Sequence, residues 1–393
     1  MADLTDLARD LREQARHAVP PAFDTLVDEA RARRRHRVRA GAAAVVLLAV
    51  SGGAAVVTRT GPDSAPPPTA RPTGTTPGPA RSDAAGRLRA LSAAQIVRQG
   101  SLESWAAGDG RVLTVWRACV RDGTHCRFAW HLGATNGLTG SGDRGPDVVA
   151  AEGGFVLTTG TASGLLVRDD GTAARLVPVD SLAPAAGDVV VRSDRGPRLV
   201  DPRTARSGRL TPPAGADGLA DATATPDGTV WALPAWSGPG RVEVARLRDG
   251  TWRSHPVGDP SSTAEVPAFL AVAGDRVAAL SSYDGATVAP VGVLAVSTDD
   301  GSTWTHLARG DVPFAAVDSM AATDDGVLVV AEPDGTVWRS TDATWRSFAR
   351  VTDAGRVGGL VPAGPGVLGR AAGATDRLVL VDGDGTARPV PAR

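Results

Sequence analysis

The sequence predicts an all-β fold from about residue 86 to residue 393, and three observations carry this prediction. Short runs rich in Val, Leu, Thr and Trp alternate with clusters of Gly, Asp and Pro, a pattern typical of strands joined by turns. No long helical period is found after Gly100. A four-strand unit also recurs along the region, which indicates a ring or stack of equivalent sheets.

The clearest of these units begins at Val317. It contains the strands "VDSMAA", "VLVVA", "TVWRS" and "TWRSF", separated by the turns "TDDG", "EPDG" and "TDA". Four antiparallel strands in about 35 residues form one blade of a β-propeller. Equivalent units are found at 101–145, 146–179, 180–213, 217–257, 264–309 and 356–391. The sequence therefore predicts a seven-bladed β-propeller of four-stranded antiparallel blades.

One turn of the repeat is unusually specific: "STDDGSTW", Ser297 to Trp304, lies between the third and fourth predicted strands of its blade. Ser and Asp side chains hydrogen-bond backbone N–H groups in turns, and Gly supplies a positive φ. The Trp is expected to bury its ring between blades. The equivalent turn positions are expected at residues 137, 171, 204, 250, 301, 343 and 385, with a mean spacing of about 41 residues, a blade period.

This turn resembles the Asp-box, or BNR repeat, of sialidases, related glycosidases and photosystem assembly factors. The match is complete and is carried by five residues, which are Ser297, Asp299, Gly301, Thr303 and Trp304. The resemblance covers about residues 100 to 393 and is degenerate in the other blades. It implies that the box lies on the outer rim of a propeller, away from the central pocket, so it indicates the fold and not an activity.

A sialidase-like enzyme is the alternative that this resemblance raises. The family implies an Arg triad, a Tyr nucleophile paired with a Glu, and an Asp acid/base. The sequence lacks the Arg-Ile-Pro signature, and its one tyrosine, Tyr283, lies in the turn "SSYDG". The glutamates of the predicted propeller are Glu103, Glu152, Glu243, Glu265 and Glu332. The sequence therefore predicts no catalytic residues, with a sialidase-like exo-glycosidase or its inactive remnant, acting on envelope glycans, as the alternative.

Two cysteines, Cys119 and Cys126, bracket "VRDGTH" between the second and third strands of the first blade. Their spacing favours a disulfide that pins a hairpin, which is typical of an extracytoplasmic domain. A reduced redox or metal-binding pair is the alternative, but no Cys-x-x-Cys or His-x-x-Cys spacing accompanies them.

Neither a metal, a cofactor nor a nucleic acid is expected as a ligand. The six histidines, at positions 17, 36, 125, 131, 255 and 306, lack the spacing that converges on a metal. Asp-rich turns such as "STDDG" do not meet the EF-hand register. The formal net charge of −1 gives no electrostatic case for a nucleic acid partner.

The region before the propeller predicts a single membrane span at residues 40–58. The apolar run "AGAAAVVLLAVSGGAAVV" would form a helix of about 27 Å, close to the hydrocarbon core of about 30 Å. The basic run "RARRRHRVR" precedes it, which places the N-terminus in the cytoplasm. A cleaved signal peptide is the alternative, although nearly forty residues precede the run.

Two further segments flank this span. Residues 1–39 form a cytoplasmic segment whose apolar positions recur at helical steps until Pro20 and Pro21. Residues 59–85 form a linker rich in Pro and Thr that is expected to be extended. We therefore expect a single-pass protein of the cell membrane, with residues 86–393 as an extracytoplasmic propeller.

The whole arrangement resembles actinobacterial membrane proteins that are often encoded beside extracytoplasmic-function sigma factors. The segment "PPAFDTLVDEARARRR" carries most of this likeness, which implies a sigma factor as the partner of residues 1–39. The zinc-type signature His-x3-Cys-x2-Cys is absent. The sequence thus favours a propeller that binds an envelope ligand or protein and reports inward, with a tethered scaffold without signalling as a third hypothesis.

Overall fold

The computed structural model describes residues 88–393 with eight internal gaps, at 121–124, 143–144, 159–163, 194–195, 237–241, 258–264, 284–288 and 375. In this part of the chain, no helix is long and apolar enough to cross a membrane. The predicted span at 40–58 lies outside the described residues, as do the predicted segments at 1–39 and 59–85, and these remain predictions.

The described chain contains a helical turn at 88–90 and the helix α1 (Ala93–Gln99), followed by 29 strands that form seven sheets. The strands of the first four blades are β1 (Ser101–Gly108), β2 (Arg111–Cys119), β3 (Cys126–Leu132), β4 (Thr135–Gly142); β5 (Asp147–Ala151), β6 (Gly154–Thr158), β7 (Gly164–Arg168), β8 (Ala173–Arg175); β9 (Val177–Ser181), β10 (Val189–Val191), β11 (Arg198–Asp201), β12 (Arg206–Arg209); and β13 (Gly218–Ala224), β14 (Val230–Ala235), β15 (Glu243–Arg248), β16 (Thr251–Pro256). The strands of the last three blades are β17 (Glu265–Ala273), β18 (Arg276–Tyr283), β19 (Ala289–Ser297), β20 (Thr305–Ala308), with β21 (Ala316–Val317) also paired to β19; β22 (Ser319–Ala322), β23 (Leu328–Ala331), β24 (Val337–Ser340), β25 (Phe348–Arg350); and β26 (Val357–Ala363), β27 (Gly366–Ala371), β28 (Arg377–Asp382), β29 (Ala387–Pro391).

The predicted seven-bladed β-propeller is confirmed. Each blade holds a path of four strands, ordered from the axis outward as in β1-β2-β3-β4. The innermost strands contact one another in a closed ring, which runs β1, β5, β10, β13, β17, β22, β26 and back to β1. The blades begin and end within a few residues of the ranges that the sequence repeat predicts.

The third blade departs from the expected pattern, because its outermost strand is β9, which precedes the other three in the sequence and pairs parallel with β12. Its innermost strand β10 is also reversed. Arg192, just after β10, donates its backbone N–H to Asp147 at the start of β5, while the N–H of Gly187, before β10, reaches Pro226 beyond the end of β13. Strand β10 therefore runs opposite to the inner strands on both sides of it.

The composition of the chain after β12 explains this departure. The segment "LTPPAGAD" at 210–217 contains two consecutive prolines, which lack the N–H that a strand must donate. No fourth strand forms there, and the chain passes directly to β13. The outer position is filled instead by β9, which continues from β8 after a single residue.

The core lies between neighbouring sheets. Several second strands are almost wholly buried, as in β6, β14 and β23, because each of their faces is covered by an adjacent blade. Such strands are continuous apolar runs instead of alternating ones. The largest apolar cluster joins blades 5 and 6 and includes Leu280, Leu294, Leu328 and Trp345, each with no exposed surface.

One expected turn glycine lies elsewhere. Gly137 belongs to β4 and not to a turn, and the reversal between β3 and β4 contains Gly133, whose φ is +57°. A Cβ on Gly137 would stand 2.6 Å from Nε1 of Trp130. The indole of Trp130 thus covers the backbone of this glycine, which is how an aromatic side chain compensates for a glycine in an edge strand.

Candidate functional site

The most specific sequence motif forms a closed hydrogen-bonded turn between β19 and β20, and we call it the box turn (Ser297–Trp304). The hydroxyl of Ser297 accepts the backbone N–H of Gly301 at 3.0 Å and donates to Oδ1 of Asp299 at 2.8 Å. Asp299 in turn accepts the backbone N–H and the hydroxyl of Thr303, at 2.8 and 2.7 Å. These bonds satisfy the polar groups that the reversal exposes.

Two adjacent residues of the box turn have left-handed backbone conformations. Asp300 has a φ of +59° and Gly301 a φ of +77°, and Asp and Gly are among the residues that tolerate this region best. A Cβ at Gly301 would also lie 2.6 Å from Cη2 of Trp231 in blade 4. Glycine is therefore required at 301 both by its dihedral angle and by the close approach of the neighbouring blade.

The box turn fastens blade 5 to blade 4. The Trp304 ring stacks on His255 at 5.3 Å and meets the edge of Trp231 at 6.5 Å. Arg246 of β15 forms an ion pair with Asp300 and donates to its carbonyl at 3.0 Å. Ser297, Asp299 and Thr303 thus bond one another within the turn, while Asp300 and Trp304 contact blade 4.

Blades 2, 3, 6 and 7 keep one part of this arrangement, an Asp that accepts a backbone N–H two residues downstream. These pairs are Asp170 with Thr172, Asp201 with Arg203, Asp342 with Thr344, and Asp384 with Thr386. In blade 6 the stretch from Ser340 to Trp345 is two residues shorter, and its positive φ of +57° falls on Trp345 instead of a glycine. The fold therefore repeats the Asp contact more faithfully than the glycine.

The box turn predicts an acid dependence of stability. Hydrogen bonds from the hydroxyl and N–H of Thr303 and from Ser297 lower the pKa of Asp299 below its ordinary value of 3.8. A depressed carboxyl pKa stabilises the fold above the unfolded-state pKa, and this contribution is lost as the pH falls through the folded-state pKa. We expect Asp299→Asn to lower the melting temperature at pH 7, and the difference from wild type to shrink below about pH 4.

Melting curves of both proteins between pH 7 and pH 3 measure this difference. Asp311→Asn, in the exposed turn after β20, is the control for a nearby loss of one negative charge. A difference at Asp299 that does not change between pH 7 and pH 3 would contradict the explanation.

Cys119 and Cys126 are joined by a disulfide, with their Cα atoms 4.1 Å apart. The two residues face each other at the open end of the β2–β3 pair, where their register is the last of the ladder. The bond closes a loop of only a few residues whose interior, 121–124, lies outside the described residues.

A second group of side chains, which we call the axial entrance, gathers where most inner strands begin. Its centre is Arg192, whose guanidinium lies 2.8 Å from Oδ1 of Asp221 and whose side chain is 61% exposed. The backbone N–H of Arg192 binds Asp147 at 2.9 Å. Three blades, the second, third and fourth, thus meet at one arginine.

The charges of the axial entrance influence one another. Burial raises the pKa of Asp147 and the neighbouring Asp221 raises it further, whereas Arg192 and its N–H act in the opposite direction. Asp221 in turn raises the pKa of Arg192. The guanidinium therefore stays charged, and it faces solvent from a position that two carboxylates fix.

Further polar contacts continue around the axial entrance. Glu103 pairs with Arg117 at 3.2 Å in blade 1, and the Ser319 hydroxyl of blade 6 accepts the N–H of Leu360 in blade 7 at 3.0 Å. These residues are widely separated in sequence, so no local motif marks them. Only the ring arrangement of the inner strands, including the reversal of β10, brings Arg192 to this end.

An open cavity of about 500 Å³ lies at the opposite end, among turns of blades 1 and 2 and the last residues of the chain. His131, Arg111 and Asp169 line it, and Arg111 binds the carbonyl of Asp169. Burial lowers the pKa of His131, and a hydrogen bond with the backbone of Thr135 acts against this. The cavity therefore presents a neutral imidazole beside an ion pair already formed within the protein.

The residues considered for chemistry remain separate. The side chain of Tyr283 lies outside the described residues. Across the described parts of residues 88–393, no group of three or more His, Cys, Asp or Glu side chains is arranged to hold a metal. His255 is stacked on Trp304, whereas His131 lines the open cavity between blades 1 and 2.

The fold defines the class of protein as a seven-bladed β-propeller. The sequence matches no protein-family model and no curated protein sequence. Among solved structures it is similar to a puromycin-hydrolyzing peptidase of Mycobacterium tuberculosis, with 14% identity over 77% of this chain and 55% of that chain and a TM-score of 0.47. The chain thus spans about half the length of that peptidase.

Two further similar structures are propellers or propeller-sized chains. The β-propeller domain of the Trilobed protease from Pyrococcus furiosus has 8% identity, with 75% of this chain and 95% of that domain covered, and a TM-score of 0.48. YCF48 bound to D1 peptide has 13% identity, with 72% and 90% covered, and a TM-score of 0.43.

Proposed function

We propose that this chain is a tethered binding propeller. Residues 40–58 hold it in the cell membrane, the linker at 59–85 carries the propeller outside, and the axial entrance binds a protein or other ligand of the cell envelope. Recovery of a processed chain beginning near Val56 in the medium would overturn the retained anchor.

The observation that supports binding is the exposed, preorganised guanidinium of Arg192. Asp221 pairs with the guanidinium, and Asp147 accepts the backbone N–H of the same residue at the junction of three blades, so little side-chain freedom is lost when a ligand contacts it. An arginine presents several donors in a rigid fork and suits carboxylate, phosphate or peptide carbonyl groups.

Photo-crosslinking in cells tests this proposal. The full chain carries a photo-reactive amino acid in place of Leu219, half-buried at the start of β13, and its adducts are identified by mass spectrometry. We expect a discrete adduct whose yield falls about tenfold when Arg192→Ala removes the charge-assisted hydrogen bond.

Arg253→Ala, an exposed arginine on the outer strand β16, is the matched control and should leave the yield unchanged. The proposal fails if the Arg192 and Arg253 variants give the same adducts in the same yield. Melting curves of both variants separate lost binding from lost folding.

On the cytoplasmic side we propose a sigma factor as the partner of residues 1–39. This rests on the likeness carried by "PPAFDTLVDEARARRR" and on an apolar stripe too short to bury a core by itself. Capture of the full chain from solubilised membranes tests the pairing. Absence of every sigma factor from material that retains the envelope adduct would remove this part of the proposal and leave the other intact.

A further inference from the structure

The ring of blades closes between blade 7 and blade 1 without a shared strand. The last strand, β29, is the outermost strand of blade 7, and the first strand, β1, is the innermost strand of blade 1. All four strands of each blade therefore come from one continuous stretch of chain, and no strand ladder crosses this seam. Whatever holds the seam together must be supplied by side chains and by the ends of the described chain.

Few hydrogen bonds cross the seam. The indole N–H of Trp105 donates to the carbonyl of Leu368 at 3.3 Å, and Arg370 donates to the carbonyl of Leu102 at 3.4 Å. The hydroxyl of Thr114 reaches the carbonyl of Ala392 at 3.0 Å. Two of these three bonds are long for their type, so they hold the two blades weakly.

Helix α1 packs against blade 1 and shares an apolar cluster with both sides of the seam. Ser92 and Gln95 form a capping box at its start, which fixes where the helix begins. Ile96 is fully buried, and it belongs to one apolar cluster with Trp116 of blade 1 and Leu368 and Leu378 of blade 7. The buried face of α1 thus belongs to the same hydrophobic cluster that fills the seam.

Arg393 ties the other end of the chain to this helix. Its guanidinium lies 4.5 Å from the centre of the Trp116 ring and donates to the carbonyls of Val97 and Arg98 at 3.2 and 2.7 Å. The last carbonyls of an α-helix have no N–H partner within the helix, and the helix dipole favours a cation beside them. Arg393 also pairs with Asp376 of blade 7 at 3.2 Å, so one side chain links blade 7, blade 1 and α1.

From these contacts we propose that α1 and Arg393 form a releasable clasp, and that its release opens the ring between blades 7 and 1 before any other seam. The geometry gives the reason. The described chain connects every pair of neighbouring blades except blades 7 and 1, so this seam has the fewest covalent restraints against local opening. This inference does not depend on the proposed ligand.

Hydrogen exchange of the full chain, followed by mass spectrometry under native conditions, tests the clasp. With Arg393→Ala we expect the amides of β1 and β26 to exchange about tenfold faster, as expected for the loss of charge-assisted bonds, while those of β17 keep their wild-type rates. Arg388→Ala, an exposed arginine of β29 paired with Asp382, is the matched control and should change neither.

Two core truncations distinguish local opening of this seam from a general loss of stability. Ile96→Ala should speed exchange in β1 and β26 first, whereas Leu280→Ala, an equally buried truncation in blade 5, should not favour that seam. The proposal is overturned if Arg393→Ala leaves β1 and β26 unchanged, or if Ile96→Ala and Leu280→Ala accelerate the same strands equally.

Discussion

Replacement of Trp345 by alanine is expected to lower the free energy of unfolding by about 3 to 5 kcal/mol, the range for a fully buried Trp. The ring has no exposed surface and belongs to the cluster between blades 5 and 6. Its indole N–H donates to the carbonyl of Gly326 at 2.8 Å. The variant therefore creates a cavity and removes one of the two hydrogen bonds that the Gly326 carbonyl accepts, the other coming from Arg276 at 2.7 Å.

Trp304→Ala is the matched comparison, because Trp304 occupies the same place in its own blade but is only partly buried. We expect Trp304→Ala to lower the free energy of unfolding by a clearly smaller amount. Urea unfolding of both variants measures this, and an unchanged slope m checks that unfolding remains two-state. Equal losses for the two variants would show that burial does not determine the cost at this turn.

Removal of the disulfide by the double change Cys119→Ala and Cys126→Ala is expected to cost about 2 to 3 kcal/mol. The two cysteines are seven positions apart, and the chain-entropy model gives this value for so short a loop. The effect should appear as a lower urea midpoint. Cys126 is almost fully buried whereas Cys119 is half-buried, so alanine is preferred to serine at 126.

Wild-type protein treated with a reductant is the control for this pair. It should match the double variant closely, because alanine leaves little packing change at the half-buried Cys119. A double variant as stable as the oxidised wild type would show that the β2–β3 pair is held by its strand ladder alone.

The number of blades could be predicted because short stretches of sequence encode each strand and turn of the repeat. Runs such as "VLVVA" and "TVWRS" separated by Asp-Gly turns specify strand, turn and strand within a few residues. Second strands such as β14 and β23 are buried on both faces and are apolar throughout, and such runs are easy to see. Blades 4 to 7 therefore coincide closely with the predicted ranges.

The inverted strand of blade 3 could not be predicted from such local patterns. A run such as "DVVVRS" at 188–193 indicates a strand but carries no information about its direction relative to the axis. Direction was decided by the prolines at 212 and 213, which deny the blade a later outer strand, and by the continuation of β8 into β9. Gly137 shows the same limit, since a glycine beneath Trp130 and a turn glycine look alike in sequence.

The residues of the axial entrance could not be predicted from the sequence. The five motif residues of the box turn were marked by their spacing, and their contacts lie within the turn or in the seam between blades 4 and 5. No sequence motif singled out Arg192, because 45 positions separate it from Asp147 and arginine is abundant throughout the sequence. Residues that act together at an axis are adjacent only after the ring has closed.

The reversal of β10 also breaks the rotational pseudosymmetry of the ring. Seven identical blades would offer a ligand on the axis seven equivalent orientations, none of them preferred. At blade 3 an inner strand ends, instead of beginning, at the axial entrance, and it places Arg192 there alone among the inner-strand ends that the structure describes. A ligand that contacts this arginine can bind in only one rotational orientation about the axis. The irregular blade 3 thus removes the equivalence of the seven orientations.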